Sequence, residues 1–270
     1  MSTATLTENP SAADLPVTID TSQPRVPLLR LVAVEARKLV DTRAGFWLVA
    51  LIVLANLVVV AGVVAFAPDQ MLTFSSLLTV STAPAGFLLP VLAILLVTSE
   101  WSQRSALITF GLEPRRGRVV VAKLLVSLVA TVVTLVVAAA FGAAGTAVAA
   151  ATHDLVDPWS ITLAAVANAG LVLVVSLLMA FAFGMLLMSS PAAIVLYFVL
   201  PTVWSIVASF VPWVRDNLQE WADLGAAQTP FSGAEWASGD DWLRLASAGA
   251  IWVLLPLAAG VWRLLRSEVK

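Results

Sequence analysis

The chain predicts an all-α membrane protein with six transmembrane helices, and three features carry that expectation. Hydropathy is the first: 60% of the 270 residues are hydrophobic, only 12% are charged, and mean hydropathy is +0.95. The second is arrangement, with apolar residues in long blocks separated by short polar breaks. A soluble helix must turn one face to water and does not need uninterrupted apolar runs, whereas a bilayer crossing needs about 20 such residues for ~30 Å of hydrocarbon. The third is charge sidedness. Of 15 lysines and arginines, all but Arg215 and Arg244 fall in segments that six crossings place on one side, and the positive-inside rule makes that side the cytoplasm.

Residues 1–26 are rich in Ser, Thr, Ala and Pro, with Glu8, Asp14 and Asp20 and no basic residue before Arg25. They lack the positive start and apolar stretch of a secretory signal and predict a disordered cytoplasmic tail. Residues 27–44 predict an amphipathic elbow helix lying in the inner interface. Leu28, Leu29, Val32, Ala36, Leu39 and Val40 share one face, and Arg30, Arg37 and Asp41 lie opposite, near anionic lipid. Glu35 falls near the apolar face, where a carboxylate needs a partner, and Lys38 or Arg37 is within helical reach.

Residues 45–264 carry the six crossings, and 265–270 form a cytoplasmic C-terminus. The spans read as about Phe46 to Phe66, Leu77 to Val97, Val119 to Ala151, Ile161 to Met188, Ala192 to Val211 and Leu243 to Trp262. The third exceeds one bilayer thickness and must tilt or protrude. Arg25 to Arg43, Arg104 to Lys123 and Arg263 to Lys270 then share the cytoplasmic side, so both termini are inside. Trp47, Trp101, Trp159, Trp213, Trp242 and Trp262 sit at span ends, where an amphipathic ring prefers the headgroup layer. Pro84, Pro90, Pro201 and Pro256 predict kinks, read either as tolerated packing or as hinges.

Between the second and third spans, Ser99 reads as a helix N-cap with Glu100 in the first turn. Trp101, Ala106, Leu107 and Phe110 have helical spacing, and Gly111 suits a C-terminus. This predicts a short cytoplasmic helix presented to a protein partner. The loop from Pro212 to Asp241 holds Trp213, Trp221 and Trp236 among its acids and predicts short helices that dip back or cap the outer mouth. Asn56 and Asn168 are read as interhelical hydrogen-bonding groups.

Several function classes are excluded. Without cysteine, thiol catalysis and zinc–thiolate sites are out, and His153 alone makes no histidine cluster. Mid-span carboxylates suited to ion coupling are missing. There is no phosphate-cradling glycine loop, so the chain does not bind ATP itself. Nothing points to an enzyme, a cofactor, a metal or nucleic acid.

Glu35-Ala-Arg-Lys-Leu before the first span, Glu100 after the second, and Pro114-Arg-Arg-Gly-Arg-Val-Val-Val-Ala-Lys123-Leu entering the third give the chain, from about Val26 onward, an order that resembles the ABC-2 type permeases of bacterial ABC exporters (type V exporter architecture). In that family a Glu followed by a Gly-Thr or Arg-Thr pair opens the coupling helix; the corresponding pair here is Arg104-Ser105, a mild departure. The resemblance implies a plasma-membrane efflux permease that pairs with a second permease subunit, as homodimer or heterodimer, and with separate ATPase subunits carrying ATP-Mg. It implies ATPase coupling through Glu100, Trp101, Arg104, Leu107 and Phe110, with Glu35 and the fourth-to-fifth turn at Ser190 on the same surface. It also implies a substrate path along the second and fifth spans, for which Phe87, Tyr197, Phe198 and Trp204 are the candidates. An aromatic, charge-free path suits a drug-like, lipid or peptide cargo. A membrane scaffold docking a cytoplasmic partner is the alternative reading, and a membrane-embedded lipid enzyme a third.

Overall fold

The structure, a computed structural model, describes residues 26–103, 105, 109 and 115–266. The tail ahead of Val26 and the expected coupling residues Arg104, Leu107 and Phe110 lie outside the described residues. Among the described residues all regular structure is helical. Six helices are long and apolar enough to cross a membrane: α2 (Arg43–Phe66), α3 (Phe74–Ser102), α4 (Arg116–Thr152), α5 (Leu163–Leu187), α6 (Ser190–Phe210) and α10 (Gly239–Arg266). They are preceded by α1 (Leu28–Asp41). Between α6 and α10 come three short helices, α7 (Pro212–Asn217), α8 (Gln219–Ala222) and α9 (Leu224–Gln228), followed by a 3₁₀ turn at Thr229–Ser232.

Local chemistry sets the helix starts. Thr42 adopts an extended conformation and accepts a hydrogen bond from the Gly45 amide at 3.1 Å, ending α1 and capping α2. The elbow is so tight that a methyl at Gly45 would overlap the Leu39 carbonyl. Thr73 and Thr162 cap α3 and α5, and Ser238 with Asp241 forms a capping box at α10. Met188 ends α5 in the left-handed region at φ 52°, so that α6 turns back at once.

Helices α2, α3, α4 and α10 run beyond their expected spans by up to about a turn at one or both ends, whereas α5 falls within its expected span. At 37 residues α4 is about 55 Å long, far more than the ~30 Å hydrocarbon layer. The end of α3 corrects one expectation. Ser99 does not cap a new helix; α3 continues through Ser99 and Glu100 to Ser102, with Gln103 as its C-cap. The Ser99 hydroxyl instead donates to the Leu96 carbonyl at 2.9 Å.

Helices α3 and α5 form the centre, α3 packed on α4 and α5, and α10 on α5. Leu89, Ala93 and Ile94 of α3 meet Leu177 and Ala180 of α5 and Ala193 of α6. Nearer the end that carries Arg116 and Arg263, called here the basic end, Val97, Phe181, Met185 and Leu264 interlock. Gly260 lets α10 approach α5 so closely that a methyl would lie 2.7 Å from the Leu186 nitrogen. Arg263 donates to the Leu186 carbonyl at 2.7 Å and Arg116 to that of Leu264 at 2.6 Å.

Proline effects differ by site. Pro84 and Pro90 sit within α3, and Pro201 within α6, with helix on either side. Before Pro256 the backbone widens into a π turn at Ala250–Leu254, where the missing proline N–H leaves the regular ladder incomplete.

At the opposite, acidic end, the short helices fold back onto the bundle as the loop's apolar content predicts. Leu224, Ala227 and Phe231 pack against Met179, Phe183, Leu245 and Trp252. The loop tryptophans Trp213, Trp221 and Trp236 are exposed, so they are not what anchors it. Asn168 is corrected from an interhelical role: its amide donates to the Gly233 and Glu235 carbonyls at 3.0 and 2.9 Å, pinning the loop. Asn56 is corrected too, since its amide donates within α2, to the Ile52 carbonyl at 3.0 Å, and its buried oxygen has no partner.

Candidate functional site

The basic end holds a ring of four charges built by three helices. Glu35 and Lys38 are one turn apart on α1, Glu100 sits in the last turn of α3, and Lys123 in the second turn of α4. Lys38 Nζ lies 2.6 Å from Glu35 Oε1 and 3.2 Å from Glu100 Oε1. Lys123 Nζ lies 2.7 Å from Glu35 Oε2 and 2.9 Å from Glu100 Oε2. Each carboxylate thus offers one oxygen to each ammonium, and acids and bases alternate around a closed ring of zero net charge.

Burial gives the ring its weight. The Glu35, Glu100 and Lys123 side chains are 5%, 1% and 3% exposed, and Lys38, at 36%, is the rim member. Charges in such a place persist only when paired and fully hydrogen-bonded. Lys123 meets that requirement with two further acceptors, the Leu96 carbonyl at 2.7 Å and Ser99 Oγ at 3.1 Å. On α1, burial pulls the Lys38 pKa down, but the hydrogen bond and charge of Glu35, reinforced by Glu100, outweigh it and hold the ammonium above its ordinary value.

A neighbouring contact ties in α6. Thr98 gives its hydroxyl proton to the Ile94 carbonyl at 2.7 Å, so Ser190, at 2.6 Å, donates to Thr98. Trp101 turns toward the bundle and packs beside Val97, Phe181 and Leu264. A cavity of about 160 Å³ opens next to the ring, lined by Lys38, Thr42, Gly45, Leu96 and Ser99 among others.

The expected coupling residues therefore divide. Glu35, Glu100, Trp101 and Ser190 gather at one end, yet Glu100 is interior and is not offered on a surface helix. Lys38 and Lys123 complete the site. The signal for Lys123 was a lone cation inside an apolar run, matched by Glu100 at the end of the preceding one.

A second cavity, about 250 Å³, lies where α3, α5, α6 and α9 meet. Phe87, Tyr197 and Phe198 line it with Ser176, Thr202 and Gln228. Phe87 stacks on Phe198 (centroids 6.4 Å, 16°), and Phe198 meets Tyr197 edge-on (4.9 Å, 87°). Trp204 does not line this cavity but packs, as Tyr197 also does, against the Leu224–Phe231 cluster, and its buried indole N–H has no acceptor among the described residues.

Among the described residues no group of three His, Asp or Glu side chains is placed to hold a metal ion. At the ring the Ser99 hydroxyl lies 3.1 Å from Glu100 Oε2 and 3.1 Å from Lys123 Nζ. What the ring offers is mechanical: it fixes α1 to both flanks of the connector between α3 and α4. No family model, curated protein or solved structure matches the chain.

Proposed function

We propose that the chain is the permease subunit of an ATP-driven exporter of the ABC-2 type, moving an amphipathic or hydrophobic cargo with force supplied by a separate ATPase subunit. The observation that carries this reading is the Glu35–Lys38–Glu100–Lys123 ring. It grips the two ends of the α3–α4 connector and joins them to α1. A push on that connector moves three helices as one body, which suits a membrane subunit with no nucleotide site of its own.

In this reading the basic end and both termini lie in the cytoplasm of a cell bounded by the plasma membrane in which the helices sit, by the positive-inside rule. ATP-Mg binds on the partner. Cargo passes the aromatic cavity at Phe87, Tyr197 and Phe198, with Trp204 behind it. Helix α6 leaves Val195, Val199, Val203 and Ile206 exposed beside Phe87, a face for a second permease subunit or for lipid.

The test is purification from native membranes, identification of any copurifying ATP-hydrolysing chain, and reconstitution in liposomes with a fluorescent amphipathic dye. Nucleotide-dependent dye movement is expected, and Glu100→Gln should lower dye moved per ATP hydrolysed. Absence of both an ATPase partner and nucleotide-dependent movement would favour the scaffold reading.

A further inference from the structure

We infer that a groove between α2 and α4 holds one acyl chain of an anionic glycerophospholipid whose phosphate rests on the arginine stripe of α1. The inference depends on the six helices lying in a bilayer and not on the exporter reading.

The groove encloses about 320 Å³. Its floor is buried core, Ile52, Leu89, Leu92 and Val126, and its walls are the exposed side chains Val49, Val53, Val129 and Val133. It is therefore a slot reaching the interior and not a corrugation of the surface. The polar lining group Thr134 gives its hydroxyl to the Ala130 carbonyl at 2.7 Å, so the groove offers water nothing to bind. At about 320 Å³ the slot is smaller than two turns of an α-helix about 10 Å across with its side chains, whereas a single hydrocarbon chain fits.

Ala36, Leu39 and Val40 of α1 close one end, and the charges beside that end decide the headgroup. Arg37 is three residues before Val40 and neighbours it on the helix surface; Arg30, two turns earlier, continues the same stripe. Both are exposed, and among the described residues neither has a side-chain partner, nor has Arg43 at the start of α2. Asp41 shares the stripe and leaves it net positive. Lys38 is occupied by the ring, so these arginines are the cations left for a phosphate.

The experiment is native mass spectrometry of the full chain in mild detergent, offered phosphatidylglycerol or phosphatidylcholine with identical acyl chains. At about fivefold per arginine near the membrane surface, wild type should retain phosphatidylglycerol roughly 25-fold better. R30Q/R37Q should bring the two lipids near parity. V133W, which fills the slot at its rim, should retain neither, with V129W as a second filling variant. L51W, exposed on the side of α2 opposite Val49 and Val53, should retain lipid like wild type. Equal retention of both lipids by wild type would overturn the inference, as would undiminished retention in both filling variants or competition by glycerol 3-phosphate as effective as the intact lipid. A lipid-free dimer that V133W converts to monomer would place a second copy in the groove and overturn it as well.

Discussion

Replacing Lys123 with methionine removes the ammonium that bridges Glu35 and Glu100 at 2.7 and 2.9 Å. Lys38 alone then faces two carboxylates that are 5% and 1% exposed, so one buried negative charge is left without compensation. Breaking a buried ion pair from one side costs about 3–5 kcal/mol. At about 2–4 °C per kcal/mol for a chain of this size, the melting temperature should fall by roughly 6–20 °C. The double variant Lys123→Met/Glu100→Gln restores neutrality and leaves the 2.6 Å Glu35–Lys38 pair intact. It should therefore recover part of the Lys123→Met loss, with a coupling of about 0.5–3 kcal/mol between the two sites, as expected of direct neighbours. The assay is thermal unfolding in detergent for wild type, both single variants and the double, with the exposed Arg37→Gln as control. A Lys123→Met loss no larger than that of Arg37→Gln would refute the reasoning, and so would a double variant weaker than Lys123→Met.

Further outcomes follow from the same structure. The raised Lys38 pKa means that its stabilising effect is complete below the unfolded value near 10.5 and is lost as pH rises through the higher folded value. The melting-temperature gap between wild type and Lys38→Met should thus hold steady through neutral pH and narrow only in strong alkali. Gly260→Val forces α10 from the Met185–Leu186 backbone and should cost about 1–3 kcal/mol, read by the same melts. Asn168→Leu removes both bonds to the 233–235 segment; faster proteolysis in the loop between α6 and α10 should follow, with the bundle intact. Phe198→Ala deletes both ring contacts of the aromatic cavity. With one wall ring gone, and at about 0.5–1.5 kcal/mol for an aromatic contact to a bound dye, retention of a fluorescent amphipathic dye should weaken by about two- to tenfold, measured by equilibrium binding.

The helices were legible because apolar block length is a one-dimensional property, and the need to satisfy backbone groups in hydrocarbon converts it directly into helix. Glu35 was legible as a carboxylate in want of a cation, and Lys38 answered within one turn. Lys123 was not, since an 88-residue separation is closed only by the packing of α1 on α4. Ser99 misled because capping chemistry and back-bonding within a helix use the same residue type; its hydroxyl found Leu96 and the helix went on. Asn168 lies in the second turn of α5, close enough to the acidic end for loop carbonyls to outcompete a neighbouring helix. Phe87, Tyr197 and Phe198 meet because α3 and α6 pack there, while Trp204, two turns further along α6, shares only the Leu224–Phe231 cluster with Tyr197 and does not line the cavity.

The span of the charge ring along the chain has a consequence for synthesis. Glu35 and Lys38 leave the ribosome together and can pair locally, whereas their remaining partners arrive 62 and 88 residues later. Until the residue at 123 is translated, the early acid has no second cation, and the first amphipathic segment has only half of its final dock. Its full seating on the nascent bundle therefore waits until the first two turns of α4 have been made.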